Sequence, residues 1–231
     1  MAFGGRRYRM VSKDAMRERI LEAATKRFKH YGYAKTSMAE IAADLQMSPG
    51  NLYRYFPGKI DIALAIADHG VEKQMAQLRE AIDTPGAPVI LRLRNFFHTD
   101  MVCTYEMIEK DPRTFELAQI IKTERPAWIN ERLAQEREII NGLLAEGVAA
   151  GEFDIDDIPY ASEMLQSALM KFRYPQLWSN LKLPALEREF DGVCRLLLVG
   201  LAGKAGSARE CQFSDVDMPI PQKSANSSKA A

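Results

Sequence analysis

Apolar positions recur at helical intervals along most of the chain. Met16, Ile20, Ala24, Phe28 and Tyr31 fall on one stripe of a helix that begins near Asp14. Ser12 is placed to cap it, and Asp14 suits its positive end. Gly32 stops it, as glycine does just past a helix end. A short helix follows with the stripe Met38, Ile41 and Leu45. Thr36 or Ser37 caps it, and Glu40 stands where a capping-box acid would from Ser37. Gln46-Met47 is a tight connection without glycine. Ser48 then caps a third helix with Pro49 at its first position, where the missing N–H costs nothing. Leu52 and Phe56 face inward and Pro57 ends it. Gly58 opens a long fourth helix towards Ile82, broken by Asp83–Pro88, DTPGAP.

The pattern predicts further helices near 88–110, 112–121, 125–150, 157–179 and 185–203, with GEFD at 151–154 as a stop. That makes about nine helices and an all-α fold. No segment alternates as a strand does, and no internal repeat is visible. The first three helices, with a short turn between the second and third, form a helix-turn-helix unit. The expected division is a flexible basic arm over 1–12, a helix-turn-helix domain over 13–60, a larger helical domain over 61–203 and a disordered tail over 204–231.

The third helix carries the candidate chemistry. With Leu52 and Phe56 inward, 100° per residue places Gly50 and Arg54 opposite, with Asn51 and Tyr53 on the flanks. The glycine lets another molecule approach the backbone. Asn pairs two-pronged with adenine and Arg with guanine, and a phenol bonds phosphate or packs on a thymine methyl. Ser48 and the free N–H groups of the helix start suit a phosphate. Lys59 sits at the positive end of the fourth helix, where a cation is unfavourable. Either it holds a phosphate there or it is an exposed lysine that costs little.

Charge agrees with this placement. The net charge of the 231 residues is zero, yet residues 1–60 hold 12 Lys or Arg against 5 Asp or Glu, and the rest hold 19 against 26. A basic head on an acidic body points to a polyanion partner for the head. Cys103, Cys194 and Cys211 are scattered and odd in number, which argues against a disulfide framework or a zinc site. The three histidines show no ligand spacing, so no metal or cofactor is expected. No apolar run approaches a membrane span and the basic N-terminus lacks an apolar core behind it, so the expectation is a cytoplasmic protein.

Residues 17–66 resemble the DNA-binding domain of the tetracycline-repressor (TetR) family. The residues that carry the resemblance are Ile20-Leu21, Ala24, Phe28, Gly32, Thr36, Ile41-Ala42, Ser48, Leu52-Tyr53, Phe56 and Lys59. Pro49, and Gly58 where the family often has Ser, Asp or Asn, depart from its pattern. The resemblance implies a two-domain, all-helical homodimer that binds double-stranded operator DNA through the third helix. Carried over, the DNA contacts are Thr36, Ser48, Pro49, Gly50, Asn51, Tyr53, Arg54, Tyr55 and Lys59. Of these Tyr53, Thr36 and Lys59 would hold phosphates, while Asn51, Arg54, Tyr55 and the Pro49-Gly50 edge would read bases.

The resemblance fades after about residue 70. The body offers Phe96, Phe97, Met101, Tyr105 and Phe115, then Trp128, Leu165, Leu169, Phe172 and Trp178. Most of these suit a plain helical core, and the family places an effector pocket among them. The last two helices correspond to the family's dimerisation pair. Their stripes are Leu165, Ala168 and Phe172 on one, and Phe190, Val193, Leu197 and Leu201 on the other.

An enzyme is not expected: the chain has no glycine-rich phosphate loop, GxSxG, HExxH or Cys/His cluster. The expected function is a repressor that binds a palindromic operator as a homodimer and is released by a small, largely apolar effector. The alternative is a ligand-independent or protein-regulated DNA binder whose body only dimerises. An enclosed cavity of about 300 Å³ or more in the body distinguishes the first from the second.

Overall fold

The computed structural model describes residues 12–201; of Trp178 it describes the backbone alone. The basic arm, apart from Ser12, and the C-terminal tail lie outside the described residues. Among these the regular structure is helical: α1 (Lys13–Tyr31), α2 (Met38–Asp44), α3 (Pro49–Tyr53), α4 (Lys59–Ile82), α5 (Val89–Lys110), α6 (Pro112–Glu124), α7 (Pro126–Ala149), α8 (Ile158–Ala168), α9 (Met170–Arg173), α10 (Pro175–Trp178) and α11 (Leu183–Leu201).

The first turns form for the local reasons read in the sequence. Ser12 Oγ accepts from the Ala15 N–H, and Gly32 ends α1 at a φ of 86°. Of the two cap candidates for α2, Ser37 takes the role, in a reciprocal box with Glu40. Ser48 Oγ accepts from the Asn51 N–H and Pro49 takes the first helical position of α3. The connection before it turns through Gln46, which adopts a φ of 55° without being glycine.

Two elements depart from the expected boundaries. The third helix ends at Tyr53 instead of running to Phe56. Proline disfavours helical backbone in the residue before it, so the chain winds down over Arg54 and Tyr55 before Pro57. The segment 157–179 is three short helices, so the described residues hold eleven helices where nine were expected. The breaks fall at Leu169 and at Tyr174, whose backbone leaves the helical region before Pro175.

Two cores organise the chain. The head core gathers Ile20, Leu21, Ala24 and Phe28 of α1, Met38 and Ile41 of α2, Leu52 of α3, Phe56, and Ile60, Ile62 and Ala63 of α4. It also contains Ile121 of α6, with Leu117, Ile120, Trp128 and Ile129 packed on its flank. The body core is built from α4, α5, α7, α8, α9 and α11, with Leu78, Leu93, Phe96, Met101, Ile140, Leu144 and Phe190 deep inside. Gly147 is required there, because a Cβ would lie 2.1 Å from the Phe153 ring.

The body also buries charge. Arg173 on α9 is clasped by both carboxylate oxygens of Glu136 on α7, and lies 3.3 Å from Asp100 on α5. Asp100 in turn accepts from Gln74 Nε2 of α4 at 2.7 Å. Two carboxylates against one guanidinium leave the cluster a net negative charge out of water. Burial pushes the Asp100 carboxyl up to about 6, with Arg173 pulling it down and Glu136 pushing it further up. A carboxyl raised in this way is most at ease below its unfolded value near 3.8, and that favourable contribution is lost as pH rises through about 6. Asp100→Asn is therefore expected to stabilise the fold increasingly between about pH 4 and pH 6.5, by on the order of 2–3 kcal/mol above that window. Urea unfolding across the window measures this; a variant-to-parent difference that stays flat with pH would show Asp100 ionising as freely folded as unfolded.

Candidate nucleic-acid interface

α3 is held by its inner side. Leu52 is fully buried in the head core, and Phe56 beyond the helix is buried with it. The opposite surface is open. Pro49, Gly50, Tyr53 and Arg54 are exposed and Asn51 is half-buried, so these residues share one accessible face. Tyr53 keeps 50% of its surface. A large aromatic left in water next to a guanidinium and an amide is the composition of a contact surface. A Cβ on Gly50 would meet nothing within 4 Å, so packing does not require glycine there. Ser48 is exposed as well; its oxygen caps Asn51, which leaves the hydroxyl hydrogen to donate outward.

Three expected contacts are placed differently. Thr36 is only 2% exposed, and its hydroxyl donates to the Gly32 carbonyl at 2.9 Å. That side chain closes the α1–α2 turn and is not presented as a phosphate ligand. Tyr55 is half-buried and packs on the head core, so its ring is less available for base reading than Tyr53. Lys59 is neither a free surface lysine nor aimed only outward. Its ammonium donates to the Tyr33 and Thr36 carbonyls, both at 2.8 Å, and lies 4.2 Å from the centroid of the Tyr33 ring. Desolvation lowers its pKa, against the pull of Glu124 and Glu40. A second cation does the same at the other end of the motif. Arg17 of α1 donates to the Tyr55 carbonyl at 2.7 Å, with its guanidinium carbon 4.2 Å from the Phe56 ring centroid. The sequence reading had no role for Arg17, since its partners lie 38 residues away.

The expected effector residues do not form one lining. Phe96, Phe97, Met101, Tyr105, Leu165, Leu169 and Phe172 are buried together in the body core. Trp128 instead packs on the head core, with its indole N–H donating to Asp68 at 2.9 Å. Phe115 is half-buried on α6 and belongs to neither core. The hollow beside Tyr105 is an open cleft of about 140 Å³, lined by Glu109, Gln176, Asn180 and Lys182 among others.

The expected dimer stripes lie largely against the subunit's own core. Leu165, Phe172 and Phe190 are buried in their own subunit, and Val193, Leu197 and Leu201 pack against that same core. Among the residues that α8 and α11 leave exposed are Tyr160, Met164 and Ala168 on one helix, and Gly192, Leu196 and Val199 on the other. Leu196 keeps 79% of its surface and Val199 56%. Of the expected residues only Ala168 lies on this outer face.

With this geometry in place, comparison with known proteins is specific. Residues 20–66 match the family model described as bacterial regulatory proteins, tetR family. Residues 90–194 match the one described as the tetracyclin repressor-like C-terminal domain. The HTH-type transcriptional activator FasR of Mycolicibacterium smegmatis is 32% identical over 83 residues, 36% of this chain and 38% of that protein. The chain thus spans little more than a third of the length of the curated relatives it matches. A TetR/AcrR-family regulator from Thermobifida fusca superposes with a TM-score of 0.61 at 25% identity, covering 80% of this chain and 97% of that one. The fatty acid degradation regulator FadR of Bacillus halodurans shares the fold, with a TM-score of 0.60 at 21% identity, over 79% and 94%. The two family models meet the chain in family order, over its head and its body, and the chain belongs to the tetR family of bacterial regulatory proteins.

Proposed function

We propose that this chain is a sequence-specific DNA-binding regulator that holds a palindromic operator as a homodimer. It acts as a repressor by occupying the promoter, and a small, largely apolar effector releases it. The observation that carries the DNA reading is the exposed face of α3, whose polar and aromatic residues sit on a helix locked from behind by Leu52. In the major groove, Asn51 and Arg54 read base edges while Tyr53 and Ser48 hold phosphates. Gly50 keeps the backbone close to the duplex.

The homodimer reading rests on the outer face of α8 and α11. Leu196 and Val199 beside Gly192 form an apolar strip that a second copy would cover, giving four helices across the two-fold axis. Such a dimer has to hold two copies of α3 roughly 34–36 Å apart to meet successive major grooves.

The effector reading rests on the match of the body to the family's C-terminal model. A second reading, in which the body only dimerises, is favoured by the packing: seven of the ten expected pocket residues fill one continuous core, and the cleft beside Tyr105 is well below about 300 Å³. An effector would need to open that core. Thermal denaturation and operator release, followed together across a panel of fatty acids, acyl thioesters and aromatic compounds, separate the two readings. A compound that raises the melting temperature and frees the DNA supports the effector; a panel inert in both supports the dimerisation-only body.

Mobility-shift titration against DNA upstream of the protein's own gene, at fixed salt with random DNA as competitor, tests the central claim. Arg54→Ala is expected to lower operator affinity by about 1–3 kcal/mol and to relax the base preference at one position per half-site. Unchanged affinity and preference would remove Arg54 from the base readers. Gly50→Ala is expected to leave the melting temperature unchanged or slightly higher, because helical Ala is favoured over Gly by about 0.5–1 kcal/mol, and yet to weaken operator binding. A variant that melts higher and binds as well as the parent would show that nothing approaches that backbone. Leu196→Glu is expected to yield monomers by light scattering and to lose operator binding with its fold intact. A dimeric Leu196→Glu protein would place the interface elsewhere.

A further inference from the structure

The cations Arg17 and Lys59 hold the two ends of the helix-turn-helix in the same way. Each spends its charge inside the chain, on carbonyl oxygens and the face of an aromatic ring. Lys59, the first residue of α4, takes the Tyr33 and Thr36 carbonyls of the α1–α2 turn and lies over Tyr33. Arg17, one turn into α1, takes the Tyr55 carbonyl just past α3 and lies over Phe56. These acceptors are in non-helical backbone. Tyr55 stands two residues before Pro57, which has no N–H to give. The Tyr33 oxygen also accepts the Thr36 N–H at 3.2 Å, and a charged donor is among the strongest further partners a turn carbonyl can take. The arrangement also accounts for a cation at the positive end of α4, where the helix dipole opposes it: the carbonyls and the ring offset that cost.

We infer that Lys59 and Arg17 are positioning residues for DNA recognition, fixing the angle of α2 and α3 from within the chain instead of neutralising phosphates. The inference rests on the DNA-binding reading above. Lys59 ties the start of α4 to the start of α2, and Arg17 ties the end of α3 to α1. The α2–α3 unit is thereby tied just before its start and just after its end. Two of the three ammonium N–H groups of Lys59 are already committed to the carbonyls. A tilt of α4 is carried through Lys59 to the α1–α2 turn directly, not only through the packed core.

Salt dependence separates a positioning cation from a phosphate ligand. Losing a phosphate contact makes the slope of log affinity against log salt shallower by about 0.9, on specific and random DNA alike. Losing a pin leaves the slope unchanged and selectively weakens the specific complex. The experiment uses the full chain and an operator duplex selected by the parent protein from a random-sequence library, beside a random duplex of equal length. Lys59→Met is expected to lose about tenfold or more on the operator and less than about twofold on the random duplex, at constant slope. Lys59→Gln is expected to recover much of that loss, because an amide offers two N–H donors without charge. Circular dichroism checks the fold of each variant. Should Lys59→Met not fold, Tyr33→Leu carries the same expectation, since it removes the ring beneath the ammonium and keeps the cation. Equal losses on both duplexes with a shallower slope and no recovery by Gln would make Lys59 a phosphate ligand and overturn the inference. Full retention of operator binding by Lys59→Met would overturn it as well. A selection that enriches no sequence would overturn the DNA reading itself, and this inference with it.

Discussion

α4 has to satisfy two cores at once. Its first turn gives Ile60, Ile62 and Ala63 to the head, and its second half gives Met75 and Leu78 to the body, along one unbroken helix from Lys59 to Ile82. A helix of 24 residues is about 36 Å long and bends little without a proline or an inserted side chain. One continuous helix therefore links the two cores. The rest of the structure braces this rod. Gln74 fixes its middle to Asp100, and Asp68 receives both the Trp128 indole and the Arg132 guanidinium from α7.

The head is consequently not a free-standing unit. Ile121 of α6 is buried in its core, Arg113 donates to the Phe28 carbonyl at 3.4 Å, and Arg125 lies 3.8 Å from Asp61. A boundary at residue 60 describes the DNA-binding motif but cuts through the packing that supports it. Two routes join body and head: the rod itself, and the α6–α7 corner pressed against α1 and α4. Movement of the body relative to this corner changes what the head rests on as well as how it is tilted.

Local signals were legible in the sequence, and distant ones were not. Caps, glycine stops and proline starts depend on neighbours a few residues away, so Ser12, Gly32 and Ser48 were read with their roles and Ser37 as one of two candidates for its own. The end of α3 was misplaced because the effect of Pro57 reaches back through Phe56 and shortens the helix. The roles of Thr36, Lys59 and Arg17 depend on partners four to 38 residues away, and no periodicity encodes those. The expected dimer stripe lies against the subunit's own core for a different reason. α11 is apolar around much of its circumference, and Phe190 and Leu197 form its strongest stripe. The subunit's own core takes that stripe, which leaves Leu196 and Val199 beside Gly192 exposed.

The buried cluster around Arg173 sits where these constraints converge. It joins α9 to α7 and α5, and through Asp100 it reaches Gln74 on α4. Replacing such a cluster with apolar side chains of the same volume often costs a protein nothing, so its presence is weak evidence for stability. Its geometry does specify register: α5, α7 and α9 meet at one guanidinium, and a shift of any of these three leaves a charge unpaired in the interior. The break between α8 and α10 supplies the freedom for that fit, because α9 can turn Arg173 inward without committing the whole segment to one helical line. Body and head are thus tied through α4 at two places, by Gln74 on the buried cluster near its middle and by Lys59 on the α1–α2 turn at its start. A change in that arrangement has to act on both.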